Sequence, residues 1–191
     1  MAVSKIWVFA ESDGDKPASA TLEILTKARE LADTVEAVYV GGNADALAPA
    51  LGEYGATTVH AVENGDTLAG VVGAAALASL VAANSPDLIL FAQTYDGRDA
   101  VARLSVKLDR PVLTNGLDVN VEGDKVRIGS AIFGGNTLIA RAFVSNSSVL
   151  VAGLSPSASA YTQTFIALLF PSKMSCRARR RETSAFRRGR G

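Results

Sequence analysis

Four times in the first 110 residues, a short apolar run of β type gives way to a stretch whose apolar residues recur at helical spacing. That alternation is the sequence form of repeated strand-helix-strand units, and it implies an α/β domain built on a parallel sheet. The first run, Ile6 to Ala10, leads through an acidic loop and Pro17 to a helix with Leu22, Leu25, Ala28 and Ala32 on one face. The second, Val35 to Val40, stops at Gly41-Gly42 and is followed by a short helix through Leu47 and Leu51. A third strand, Thr57 to Ala61, precedes a helix expected to start near the cap-type residue Asp66 and to end before Ser85-Pro86. Leu88 to Phe91 is continuously apolar, as a central parallel strand covered on both faces must be. The helix after it turns Val101, Leu104 and Leu108 inward and Arg103 and Lys107 outward, and ends at Arg110-Pro111.

Beyond that point the pattern changes. Residues 117–122 and 125–130 flank Gly123-Asp124, a hairpin signal, and β-type runs follow at 137–144 and 148–151. The domain is therefore expected to close with antiparallel strands. From Gly153 the periodicity fails: 155–159 is loop-like, the apolar hexamer Phe165 to Phe170 has no evident partner, and no structure is assigned to 153–191. Charge divides the chain at the same place. Residues 1–152 hold 11 Lys/Arg against 18 Asp/Glu, a net of −7, and residues 153–191 hold 8 against 1, a net of +7. Two parts are thus expected, an acidic α/β domain over 1–152 and a basic, disordered or aberrant tail over 153–191.

The composition excludes several function classes. An apolar content of 48% suffices for a substantial core. One cysteine, Cys176, forms no internal disulfide and no thiol cluster with metal-ligand spacing. The N-terminus lacks the form of a signal peptide, and the hexamer in the tail is far shorter than the roughly 20 residues a spanning helix needs. A cytoplasmic protein without membrane insertion is expected.

Ligands of open α/β sheets gather where the strands end, so the loops after the first, second and fourth strands hold the candidate sites. Gln93-Thr94-Tyr95-Asp96-Gly97-Arg98 brings hydroxyl, carboxylate, glycine and guanidinium to a helix N-terminus, where free N–H groups attract anions. The same residues also suit a plain capped helix with Gly97 in a tight turn and Arg98 paired to a nearby carboxylate. Ala10 to Asp15 is rich in carboxylates but lacks calcium-loop spacing, and reads as a solvated turn. Gly41-Gly42-Asn43 follows a strand as phosphate-cradling glycines do, yet no G-x-G-x-x-G or G-K-[ST] accompanies it, so a strand-to-helix turn is expected. His60, the one histidine, has no nucleophile motif or second ligand nearby and reads as structural. Asn146-Ser147-Ser148 fits a glycosylation pattern that is idle without secretion. Arg177 to Arg181 reads as solvated, and nucleic acid is not an expected partner. No catalytic, cofactor-binding or metal-ligating residue is assigned.

Three stretches, taken in order, resemble the N-terminal domain of the alpha subunit of electron transfer flavoproteins. They are Ile6-Trp-Val-Phe-Ala-Glu-Ser12; the strand-loop-helix from Asp87 to Leu104 through Gln93-Thr-Tyr-Asp-Gly-Arg98; and Ala131-Ile-Phe-Gly-Gly-Asn-Thr137 with Arg141 downstream. The resemblance covers residues 1 to about 151. It implies a three-layer, Rossmann-like (adenine nucleotide alpha hydrolase-like) fold, and a truncated alpha subunit of a heterodimer. Such a heterodimer carries electrons on FAD from flavin dehydrogenases to a quinone oxidoreductase, and serves as a carrier more than an enzyme. In that family the flavin contacts come chiefly from a second, C-terminal alpha domain, with help from the beta subunit. FAD is therefore not expected to be held by this chain alone. Arg98, Arg103 and Lys107 are candidate contacts to the beta subunit. Two alternatives stay open: a stand-alone nucleotide-binding or interaction module with its ligand at Thr94 to Arg98, and a nonfunctional fragment.

Members of the family usually follow the last strand with a polar link to the flavin domain, whereas here the sequence changes character abruptly after Ala152. A shift of reading frame in a GC-rich gene is the expected cause, because such a frame favours Arg, Ala, Ser, Gly and Pro. The nucleotides after codon 152 test it, and the absence of a flavin domain in any alternative frame refutes it.

Overall fold

The computed structural model describes residues 3–110, 112–122, 125–133, 136–142 and the backbone of 165–169. Its centre is the continuous apolar strand β1 (Lys5–Ala10), buried from Ile6 onward on both faces. The solvated acidic turn that the sequence suggests follows, closed by a two-residue ladder of β2 (Ser12–Asp13) against β3 (Lys16–Pro17). Gly14 at the turn has φ +63°, a conformation that glycine adopts without cost. Helix α1 (Ser19–Leu31) then carries the chain to β4 (Thr34–Val40), which pairs parallel with β1. The inward face of α1 is Thr21, Ile24, Leu25 and Ala28, while Leu22, expected on that face, is half-buried.

Helix α2 (Ala44–Glu53) buries Leu47 and Leu51 as its spacing predicts, and leads to the edge strand β5 (Thr58–Val62), parallel to β4. Helix α3 (Ala69–Asn84) starts three residues later than the cap type of Asp66 suggests. Asn64 to Thr67 are held instead in a turn: Gly65 has φ +53°, the Thr67 amide donates to the Asn64 carbonyl at 3.0 Å, and the Asn64 side chain donates back to the Thr67 carbonyl at 2.7 Å. Helix α3 returns the chain to β6 (Leu88–Phe91), which lies on the other side of β1. Helix α4 (Tyr95–Leu108) packs beside α3, buries Val101 and Leu104, exposes Arg103 and Lys107, and ends on Asp109 in the left-handed region.

The chain next forms β7 (Leu113–Gly116) and the antiparallel sheet β8 (Asp118–Glu122), β9 (Lys125–Ile132) and β10 (Thr137–Arg141). The expected antiparallel close is therefore present, with the hairpin residues 123–124 outside the described residues. One assignment is corrected. The run left without a partner forms β11 (Phe165–Leu169), antiparallel to both β6 and β7 in a sheet ordered β5-β4-β1-β6-β11-β7. An extended apolar segment there pairs backbone N–H and C=O groups along β6 that an open edge would leave bare. Periodicity has no means of reporting a pairing across so many residues. Pro111, Asn146-Ser147-Ser148, Cys176 and Arg177 to Arg181 lie outside the described residues.

Candidate functional site

Strand order places the site. From β1 the chain moves outward on one side through β4 to β5, then crosses to β6 on the other side, so the connections diverge between β1 and β6. Open α/β sheets bind ligands at such a divergence, outside the carboxyl ends of the two strands. Here those ends are Ala10-Glu11 and Ala92-Gln93-Thr94.

Both ends are tied down by local hydrogen bonds. The Glu11 amide donates to the Thr21 hydroxyl at 2.9 Å, and the Ala18 amide donates to the Glu11 carbonyl at 2.8 Å. Across the divergence the Thr94 hydroxyl donates to Glu11 Oε1 at 2.6 Å and accepts from the Gly97 amide at 3.0 Å, so that Thr94 caps α4. Gly97 is required by space: a Cβ there would lie 2.2 Å from the Ala92 carbonyl oxygen, which is backbone and cannot yield. Gln93 to Arg98 thus form a capped helix start with Gly97 in a tight turn, without the expected pairing of Arg98 to a carboxylate. The ion pair on this helix joins Arg103 to Asp99 at 2.8 Å; Arg98 has no ion-pair partner among the described residues.

The electrostatics of the junction oppose an anionic ligand. Burial raises the Glu11 carboxyl above the ordinary carboxylate range; the Thr94 hydrogen bond offsets part of this, Asp96 adds repulsion, and the Gly97 amide lowers it slightly. A dinucleotide pyrophosphate at such a divergence needs free amides and a neutral or basic surround. This junction offers a half-buried carboxylate against the first turn of α4, with a second acid beside it. The residues present therefore do not fit the phosphates of FAD, and no chemistry passes through that group here.

The second loop is filled by the chain itself. The Tyr39 hydroxyl bonds Asn43 Oδ1 and lies 3.1 Å from Ser12 Oγ, and Asn43 Nδ2 donates to the Gly14 carbonyl at 3.1 Å. A Cβ on Gly41 would fall 2.3 Å from the Tyr39 hydroxyl oxygen, so this glycine admits the tyrosine, and the strand-to-helix turn is as expected. Among the described residues no group of three His, Cys, Asp or Glu side chains could hold a metal ion.

His60 belongs to a cluster that sequence pattern did not reveal. Glu36 is buried in β4, accepts from Trp7 Nε1 at 2.8 Å, meets His60 Nε2 at 2.7 Å and lies 3.4 Å from Lys5 Nζ. Burial works to raise the Glu36 carboxyl, but the His60 hydrogen bond, the Lys5 charge and the Trp7 bond together hold it below the usual range. The Trp7 and His60 rings lie 5.4 Å apart. The signal that could have found this cluster is Glu36 itself, a lone charge within an otherwise apolar strand. On the antiparallel side, Arg141 donates to Ser130 Oγ at 2.6 Å and to the Thr114 carbonyl, joining β10 to β9 and β7.

Comparison with known proteins adds to this geometry. The family model described as the electron transfer flavoprotein domain matches residues 6–160, past the boundary expected at Ala152. An electron transfer flavoprotein subunit alpha of Syntrophomonas wolfei is 36% identical over 135 residues, covering 69% of this chain and 42% of the relative. The protein of that name in Thermoanaerobacterium thermosaccharolyticum is 34% identical over 143 residues, covering 70% and 42%. A protein FixB of Rhizobium meliloti is 30% identical over 146 residues, covering 70% and 41%. The chain thus spans about two-fifths of the length of the curated relatives it matches.

Proposed function

The chain belongs to the electron transfer flavoprotein family, and from that premise we propose that it supplies the N-terminal domain of an alpha subunit working in electron transport. The match over residues 6–160, with relatives named as alpha subunits, carries the proposal. In this reading the partner is a beta subunit, and the assembled protein carries electrons on FAD from flavin dehydrogenases to a quinone oxidoreductase. The domain's own share is structural: it presents a rigid α/β body to the partner and holds no flavin itself. The acidic junction at Glu11 supports this division of labour, because it is unsuited to pyrophosphate.

Among the described residues no helix is long and apolar enough to cross a membrane. Purification with and without a co-expressed beta subunit, scanned for flavin absorbance, tests the proposal. The chain alone is expected to be colourless and to associate with the beta subunit. A yellow protein from this chain alone, or no association, overturns it.

A further inference from the structure

The chain carries two Asn-Gly pairs, Asn64-Gly65 and Asn115-Gly116. In such a pair the backbone nitrogen of the glycine can attack the asparagine side-chain amide, because glycine brings no Cβ to obstruct the approach and turns freely about φ. The structure separates the two. Asn64-Gly65 lies between β5 and α3, outside every helix and strand. Gly65 is exposed, its φ is +53°, a Cβ built on it would meet nothing within 4 Å, and its amide has no acceptor among the described residues. The Asn64 side chain folds forward across this turn, since its Nδ2 donates to the Thr67 carbonyl at 2.7 Å. Asn115-Gly116 closes β7 instead, where Gly116 is buried and pairs with Phe165 of β11. Ring closure there must first free a glycine that the sheet holds.

We propose that Asn64 is a site of spontaneous covalent modification, deamidating through a cyclic imide with Gly65, while Asn115 is protected by its strand. The Gly65 nitrogen gives up its proton and bonds to Asn64 Cγ; the Cγ–Nδ2 bond breaks, and the side-chain nitrogen leaves as ammonia. Water then opens the imide at either carbonyl, giving aspartate or an isoaspartyl link in which the main chain runs through Cγ. Water is the only co-reactant. The product places a new carboxylate between Glu63 and Asp66, in a segment already acidic. It also removes the donor to the Thr67 carbonyl, half of the reciprocal pair that closes the turn before α3. That helix has no side-chain cap to take over, because Leu68 stands at its N-cap. The modification therefore loosens the entry to α3.

The test incubates the full chain at mildly alkaline pH, both folded and in guanidinium chloride, and follows each asparagine by peptide mass spectrometry. In the folded chain Asn64 is expected to gain the roughly 1 Da of an amide turned into an acid, with isoaspartate among the products. Its rate is expected to exceed that of Asn115 about tenfold, the ratio set by a hydrogen-bond-sized cost of freeing Gly116. In guanidinium chloride the two are expected to react at similar rates. Asn64→Gln, whose longer side chain does not close this ring readily, is expected to abolish the reaction at 64 in both states. Asn64→Asp, which carries the product's charge without the altered link, is expected to quicken hydrogen exchange at the Thr67 amide severalfold. Equal rates at the two sites of the folded chain, a faster Asn115, or an Asn64 that stays intact overturns the site, and aspartate without isoaspartate overturns the imide. The same tenfold preference in guanidinium chloride overturns the protection by β7, and unchanged exchange in Asn64→Asp overturns the effect on α3.

Discussion

The Thr94 hydroxyl gives its proton to Glu11 Oε1 across a 2.6 Å gap, and no cation stands beside that carboxylate among the described residues. The bond joins the two strand ends at the point where the connections of the sheet diverge, so the chain's own carboxylate sits against the first turn of α4. Burial and Asp96 both disfavour the ionised form, and the donors at Thr94 and Gly97 offset only part of that cost.

Replacing Glu11 with Gln keeps the acceptor and removes the charge. The folded-state pKa of Glu11 is raised above its unfolded value, so ionisation costs stability, and that cost grows as pH rises from the ordinary glutamate range through the folded pKa. Glu11→Gln is therefore expected to unfold about 2–4 °C higher than the parent at neutral pH and at the same temperature near pH 4. Thermal unfolding followed by circular dichroism across that range decides it. A variant less stable at neutral pH would mean that the Glu11 charge stabilises the junction.

Glu36 has the opposite sign. Its folded pKa is depressed, so its contribution is present above the ordinary carboxylate range and is lost as pH falls below it through the folded pKa. Glu36→Ala leaves the Trp7 N–H and His60 Nε2 without their hydrogen-bond partner and strips Lys5 of its counter-charge. The expected loss is about 3 kcal/mol at neutral pH, shrinking toward acid as the parent's own carboxylate is protonated. Urea denaturation at two pH values measures it, and an equal loss at both would assign the effect to packing alone.

Glycines separate cleanly by the space around them. Gly97→Ala forces a methyl group against the Ala92 carbonyl and is expected to cost about 2 kcal/mol or more. Gly42→Ala meets nothing within 4 Å and is expected to change stability by less than about 0.5 kcal/mol. Chemical denaturation of the two variants beside the parent tests the contrast, and equal costs would refute the close approach at Gly97.

Where function depends on neighbours in sequence, the residues announced it; where it depends on neighbours across the sheet, they did not. Ile6 to Ala10 and Leu88 to Phe91 read as buried parallel strands because both faces of each are apolar. The capping role of Thr94 and the tight turn at Gly97 were legible because they are settled within four residues. The link from Thr94 to Glu11 was not, since 83 residues separate the partners and only the strand order brings them together. Arg103 rather than Arg98 meets a carboxylate on this helix because Asp99 lies four residues before it, one turn away, a pairing that helical spacing alone describes. The placement of Phe165–Leu169 between β6 and β7 depends on an edge that no local pattern describes.

Arg141 supplies the last test, because it holds three strands at once. Its guanidinium donates to the buried Ser130 hydroxyl and to the Thr114 carbonyl, while its Nε is buried without a partner among the described residues. Arg141→Ala leaves two acceptors unmet and frees β7 from β10, with an expected loss of about 1–3 kcal/mol. Arg141→Lys is expected to recover only part of that, because a single ammonium on a flexible stem cannot reproduce the planar fork that reaches both oxygens. Hydrogen exchange at the β7 amides should quicken in Arg141→Ala, while the amides of β1 and β4, which pair with none of these strands, keep the parent's rates relative to global unfolding. Uniform quickening across both groups would show instead that Arg141 acts on the whole domain and not on the joint between its six-stranded and three-stranded sheets.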